Sequence, residues 1–297
     1  TVKPQYETKG KVTVKLGSYT GSDHNGNDKS IAGYVTGPII DDVLAYSLSL
    51  YARDMAGYLT NDVTGQGTGG HEKWFARGKL LWEPSENTSI ELHFFKTDRQ
   101  DLETFATTAL NGNSSAAFWD DGIVASRAWH VATELKGGSQ PLLVKQESFS
   151  LKISHYFDGV GTLTSTTSAN DYQTEFTVDL DTGTSAACKA TFVCADFFQD
   201  YPSEDFQQEF LFTSDPMGKL SFVAGLYFYE NDAGFDGNFA PVINSTGYAI
   251  RDQSLAGFIS GSTVFVESQA LFGSLTYEIS DQLRLTLGGR YNDESIV

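Results

Sequence analysis

The chain has 297 residues and a formal net charge of −18, from 20 Lys+Arg against 38 Asp+Glu. That length suits one large domain or two small ones, and 40% apolar content is too high for a disordered acidic tail. The charge argues against a nucleic-acid binder, which needs a basic face to displace counterions.

The longest run free of polar residues is 222–229 (FVAGLYFY). A membrane-spanning helix needs roughly 18–20 apolar residues, so a helical membrane protein is excluded. A membrane β-barrel is not, because its strands alternate and never show such a run.

Period-2 alternation dominates the chain. In 43–53 (VLAYSLSLYAR), Leu44, Tyr46, Leu48, Leu50 and Ala52 share one face, and Ser47, Ser49, Tyr51 and Arg53 share the other. In 74–82, Trp74, Ala76, Gly78, Leu80 and Trp82 oppose Arg77 and Lys79. In 148–154, Phe149, Leu151 and Ile153 oppose Ser148, Ser150, Lys152 and Ser154. In 283–292, Leu283, Leu285, Leu287 and Tyr291 oppose Arg284, Thr286, Arg290 and Asn292.

The pattern predicts about eleven strands, at roughly 8–20, 30–37, 43–55, 72–83, 88–99, 146–157, 160–168, 205–214, 219–230, 262–279 and 282–293. Their connections alternate in length. The short ones are 37–42, 83–87, the Asp158-Gly159 turn, 214–218 and 279–282. The long ones cover about 21–29, 56–71, 100–145, 169–204 and 231–261. An up-and-down sheet with one trimmed rim and one decorated rim gives this alternation, as outer-membrane barrels do.

A soluble β-sandwich would also alternate. Its strands are usually about 5–6 residues long, and it has no reason to sort its loops by length. The strands here, about 8–15 residues, are long enough for a tilted bilayer crossing. Arg77, Lys79, Lys152 and Arg284 fall in mid-strand on the polar face. A sandwich core could not hold them unpaired; its outer face, or a wet or plugged lumen, could. Trp74, Trp82, Tyr46 and Tyr291 near strand ends suit aromatic girdles. The fold expected is all-β: an antiparallel up-and-down transmembrane barrel.

The chain starts at Thr1 without a charged-then-apolar leader, which reads as a processed product or a fragment. Cys188 and Cys194 are close enough for one small disulfide loop, the alternative being two unrelated thiols. No metal site is expected, since no His or further Cys lies at ligand spacing.

The stretches 37–65 (GPIIDDVLAYSLSLYARDMAGYLTNDVTG) and 73–92 (KWFARGKLLWEPSENTSIEL) resemble the first barrel hairpins of TonB-dependent outer-membrane receptors. Segments 207–232 and 267–294, with their Gly-Leu-Tyr-Phe and Leu-Gly-Gly-Arg-Tyr strands, resemble later hairpins of that family, in the family's order. The resemblance implies a plugged barrel of about 22 strands in the outer membrane of a Gram-negative bacterium. It implies active uptake of a scarce nutrient, a ferric siderophore or similar chelate or a glycan, energised by the TonB complex. The partners implied are outer-membrane lipid, the TonB complex and the small-molecule cargo. A plug domain and a TonB-contacting box are not recognisable, and about eleven strands is an odd number. The whole chain, 1–297, therefore reads as the N-terminal half of a barrel from a longer protein. A structural or adhesive surface barrel, or a passive porin, is the alternative.

No catalytic constellation appears, and no enzyme activity or cofactor is expected. His24, His71, His93, His130 and His155 are scattered. The formal GxGxxG match at 65–70 lacks a βαβ context and reads as loop flexibility. Segment 23–28 is acidic but lacks EF-hand spacing. Ligand recognition is expected on the external loops, where Trp119, Trp129 and His130, and Tyr172 and Tyr201, are the candidate contacts. Loops 100–145, 169–204 and 231–261 carry −2, −6 and −2, more than half of the total −18. An acidic entrance disfavours strongly anionic cargo and suits neutral or cationic cargo.

Overall fold

The computed structural model describes residues 2–20, 26–61, 65–101, 130–131, 142–179, 195–241 and 258–297. Every regular element among them is a strand. They are β1 (Lys9–Ser18), β2 (Asn27–Ile40), β3 (Leu44–Met55), β4 (Leu59–Asn61), β5 (Gly67–Thr68), β6 (His71–Ser85) and β7 (Thr88–Asp101). Then come β8 (His130–Val131), β9 (Leu142–Phe157), β10 (Gly161–Asp179), β11 (Ala195–Ser214), β12 (Leu220–Pro241), β13 (Phe258–Ser280) and β14 (Leu283–Ile296). Among the described residues no helix is long and apolar enough to cross a membrane.

An 11-stranded antiparallel sheet follows chain order, β1-β2-β3-β6-β7-β9-β10-β11-β12-β13-β14. These are the strands that alternation predicts. The tight turns all fall at one end. Asp42 and Gly159 take positive φ there (53° and 68°), and Gly218 does so at 67°. At Gly161 (φ 142°) a side chain would strike the Thr213 carbonyl, so the β9–β10 turn requires glycine.

The apolar faces have no core to enter. Among the described residues only Ala45, Met55, Leu143 and Ala270 are buried hydrophobics. Leu48, Leu285 and Leu287 are 42%, 49% and 65% exposed. A sandwich would have buried them against a second sheet. One face of a single sheet is therefore apolar and outward, as lipid contact requires. The other face carries Ser47, Ser49, Arg77, Lys79, Ser150 and Ser168 in register.

The apolar belt slants across the sheet. One hydrogen-bonded row runs from Trp82 through Ile90, Ile153, Ser165, Phe210, Leu226 and Leu271 to Tyr291. Trp82 is the end of the belt nearer the tight turns on β6, whereas Tyr291 is the far end on β14. Strands tilted by roughly 35–45° to the membrane normal produce this stagger. Beyond the belt the outward row turns charged: Lys96, Glu147, Asp171, Glu204 and Asp232 are register neighbours. This row marks where lipid gives way to water.

Three sequence expectations need correction. Strands β10 to β13 run well past their predicted ends, so 169–179, 195–204, 231–241 and 258–261 are sheet and not connection. Once the outward face leaves lipid, both faces are wet and the apolar contrast disappears. The backbone ladder continues regardless. Second, the connections 56–71 and 100–145 contain short strands that the sequence did not indicate, since β5-β4-β8 form a small sheet of their own. Third, the glycines of 65–70 are not merely flexible. A side chain at Gly70 would lie 2.3 Å from the Met55 carbonyl oxygen, and one at Gly57 would lie 2.4 Å from the Gly67 carbonyl carbon. Close backbone approach seats this small sheet on the end of the wall.

Residues 2–8 lie along the polar face. Gln5 N donates to Thr36 Oγ1 (3.0 Å), Thr36 Oγ1 lies 3.3 Å from the Lys3 carbonyl, and Ser47 Oγ donates to the Val2 carbonyl (3.2 Å). Thr36 and Ser47 are buried by this cover. Tyr6 Oη donates to Glu83 at the turn end.

Candidate functional site

Register places Tyr172 and Tyr201 on adjacent strands, with Tyr172 opposite Ser203 and Tyr201 opposite Thr174. Both point to the polar, inner face. They belong to the sheet wall and not to a loop. Tyr201 stacks on Phe176 (5.9 Å between centroids, 16° between planes) and meets Phe235 of β12 at 5.2 Å. Pro202 packs over Gly234, where any side chain would collide with its ring. This fit holds Phe235 beside Tyr201. The result is an aromatic ledge on the inner wall, beyond the apolar belt, at the end opposite the tight turns.

Polar groups lie below the ledge. Asn170 Nδ2 donates to Asp205 (2.9 Å), and Asn231 Nδ2 donates to Ser203 Oγ (3.0 Å). Deeper still, Tyr227 stacks on Tyr229, and the Arg290 guanidinium sits over the Tyr227 and Phe272 rings at 5.6 and 5.4 Å. Flat rings bordered by amide and carboxyl groups suit ring-bearing or sugar ligands.

At the same end, the β2–β7 wall is closed by charge. Arg53 grips Asp28 through two hydrogen bonds (2.8 and 2.7 Å) and Arg99 grips Asp101 likewise (2.7 and 2.6 Å). The Arg53 hydrogen bond holds the Asp28 carboxyl below its ordinary value. Burial, reinforced by the Arg53 charge, pushes the His71 imidazole down. Tyr19 stacks on Tyr58 at 4.9 Å. Asn61, Thr68 and Asp101 are buried there. Among the described residues the inner side of this corner is packed with paired charges, stacked rings and buried polar groups.

Of the other candidates, His130 opens β8 and its backbone pairs with Thr60. Trp119, Trp129, Cys188 and Cys194 lie outside the described residues. Sequence reasoning missed Phe235. Extending the inward positions Tyr227 and Tyr229 by two residues at a time reaches it. No group of three or more His, Cys, Asp or Glu residues able to hold a metal occurs among the described residues.

A tilted antiparallel wall, apolar outside and polar inside, defines the class as part of a transmembrane β-barrel. Comparison with solved structures gives the same answer. The ferric yersiniabactin uptake receptor FyuA from Yersinia pestis matches 100% of this chain and 44% of its own (TM-score 0.65, 13% identity). The ferric citrate transporter FecA matches 99% of this chain and 39% of its own (TM-score 0.67, 11% identity). The siderophore receptor PirA from Acinetobacter baumannii matches 99% and 40% (TM-score 0.59, 16% identity). No family model and no curated protein sequence matches. The likeness to TonB-dependent receptors that the sequence suggests thus holds at the level of the fold. The chain spans less than half the length of these receptors.

Proposed function

We propose that this chain is part of the wall of an outer-membrane receptor for active uptake. The cargo is a scarce nutrient, most simply a ferric siderophore or similar chelate. Energy comes from the TonB complex, acting through a lumen-filling domain elsewhere in the full-length protein. The observation that carries this reading is the inward ledge of Phe176, Tyr201 and Phe235, a ring platform facing the lumen that suits a ring-bearing ligand. Tyr201→Ala in the full-length protein removes the middle ring and weakens binding of a catecholate or phenolate ferric chelate about tenfold, the worth of about 1–1.5 kcal/mol of stacking. Equilibrium binding by intrinsic fluorescence measures it. Unchanged affinity for every aromatic chelate tried would remove the ledge from the binding site.

The charge of the entrance narrows the cargo. Asp205 faces inward below the ledge, and Asp171, Glu204, Glu230 and Asp232 face outward on the neighbouring strands at about the same level, so both faces of this rim are acidic. Like charge slows the encounter of an anion. Neutral or cationic chelates therefore bind faster than strongly anionic ones at low salt, and the gap closes as salt rises. Stopped-flow association rates at two ionic strengths test this; faster capture of the anionic chelate sinks it.

A further inference from the structure

The outward face across β7 and β9–β12 changes chemistry within one step of the ladder. One row runs through Phe94, Phe149, Ala169, Phe206 and Glu230. The next outward row, further from the tight turns, runs through Lys96, Glu147, Asp171, Glu204 and Asp232. Ala169 leaves a gap between the Phe149 and Phe206 rings, and Phe94, Phe149, Phe206 and Phe265 are all exposed. A groove of about 540 Å³ opens there, lined by these rings and by the carboxylates of both rows, a volume that suits a small-molecule site. One step towards the tight turns, the Gln208 amide is tied to Thr167 and, at 3.0 Å, to Ser165. The floor therefore leads into the belt with these polar groups satisfied. The rim is not satisfied. Lys96 pairs with Glu147, but among the described residues Asp171, Glu204, Glu230 and Asp232 have no cationic partner. Asp171 stands directly opposite Glu204, and Glu204 directly opposite Asp232. Like charges so placed destabilise a sheet.

We propose that this outward groove binds a membrane lipid whose headgroup carries an amine. The acyl chain lies on the phenylalanine rings and runs down into the belt, and the ammonium sits among Asp171, Glu204 and Asp232. Two observations select this occupant. The groove is continuous with the lipid-facing belt and opens away from the lumen, so it fills from the membrane and not from cargo in transit. Its carboxylates complement an ammonium, which forms charge-assisted hydrogen bonds and relieves their mutual repulsion. They repel a headgroup whose only charge is phosphate. The inference needs only the membrane-spanning wall and does not depend on the uptake reading.

The test uses the full-length protein in a nonionic detergent, with native mass spectrometry reading the fraction of protein that carries one lipid. The probes are two dioleoyl lipids that differ only in the headgroup, one ending in a primary amine and the other phosphatidic acid. The amine lipid should bind about tenfold more tightly. Asp171→Asn with Glu204→Gln should weaken it about tenfold and bring the two lipids together. Asp54→Asn with Glu72→Gln removes two outward carboxylates elsewhere on the wall and should change nothing. Ala169→Trp fills the gap between the rings and should weaken the amine lipid even at high salt, where the charge contribution fades. Strand content by circular dichroism guards against misfolding. Equal losses from the two double variants would reduce the effect to net charge and overturn the site. Phosphatidic acid bound as tightly as the amine lipid, with or without magnesium, would overturn the choice of headgroup. A soluble oligolysine that binds the wild type as well as the amine lipid does would leave the rings without a role and overturn the choice of a lipid.

Discussion

Wall strands β1, β2, β3, β6 and β7 and wall strands β9–β14 present the same outward face and different inward ones. Outward, both carry a belt of Leu, Ile, Phe and Trp: Leu48, Leu80 and Trp82 in the first region, Phe210, Leu226 and Leu287 in the second. Inward, the first region carries Lys73, Arg77 and Lys79, and the second carries Ser150, Ser168, Gln207 and Tyr229 in one register row. Lipid is a uniform solvent and imposes one rule on every strand. The lumen imposes none, so the inward face is where regions of one sheet diverge. The −18 of the chain is correspondingly uneven. The inner wall of the first region is basic, while the carboxylates Asp171, Glu204, Glu230 and Asp232 of the second gather on its outward face beyond the belt.

The largest expected effect tests the shared half of this comparison. Leu80→Arg and Leu226→Arg each put a cation into the belt and should each cost about 2–4 kcal/mol. Ser150→Arg, on the inner face, should stay within about 0.5 kcal/mol. Urea unfolding in lipid vesicles, followed by tryptophan fluorescence, measures all three. A clear inequality between the two leucine variants would break the claim that both regions meet the same solvent.

The next effect sharpens the contrast at the end opposite the tight turns. There the first region carries the small sheet of β4, β5 and β8, and the second offers the ledge. Gly70→Ala pushes a methyl into the Met55 carbonyl and the Gly57 nitrogen. It should destabilise the small sheet by about 1–3 kcal/mol. Gly78→Ala meets open space on the outward face of β6 and should be neutral or slightly stabilising. Protease nicking within 56–70 should rise for the first variant alone. Equal resistance in both would mean that the small sheet does not depend on that close approach.

What could be read from the sequence divides along the same physical line. Leu48 and Ser49, or Leu80 and Lys79, are assigned to opposite faces by alternation because lipid and water select opposite chemistries. The eleven strands follow. Tyr172 and Tyr201 could be named as candidates, but the stacking of Tyr201 on Phe176 could not be seen, because at their level both faces are wet and no contrast marks the strand. The small sheet was hidden for another reason. Three segments of two or three residues, 59–61, 67–68 and 130–131, are too short to show a period. The basic inner patch was the least legible feature. Arg77, Lys79 and His93 each look like ordinary polar-face residues. Only register puts them on one wall, beside a segment that begins near Val2.

The smallest expected effect probes how that segment is held. Burial and the hydrogen bond to Glu83 push the Tyr6 phenol up to about 12, against an ordinary value of 10.0. A raised value means that the folded protein keeps a proton the released segment would lose. The associated stability is fully present below about pH 10 and is lost as pH rises from about 10 to about 12. Tyr6 is half-buried, so solvent screening limits the effect to about 1 kcal/mol. Wild-type protein should therefore release residues 2–8 across that alkaline window, seen as faster amide exchange at Gln5, whose N–H is held by Thr36. Tyr6→Phe should start from faster exchange and show no added loss over the same window. The difference in phenolate absorbance between the two proteins should titrate above the ordinary tyrosine value. Were it to titrate near 10, Tyr6 would not be tethered to Glu83. The first region would then rely on the side-chain hydroxyls of Thr36 and Ser47 to keep the segment against its inner wall.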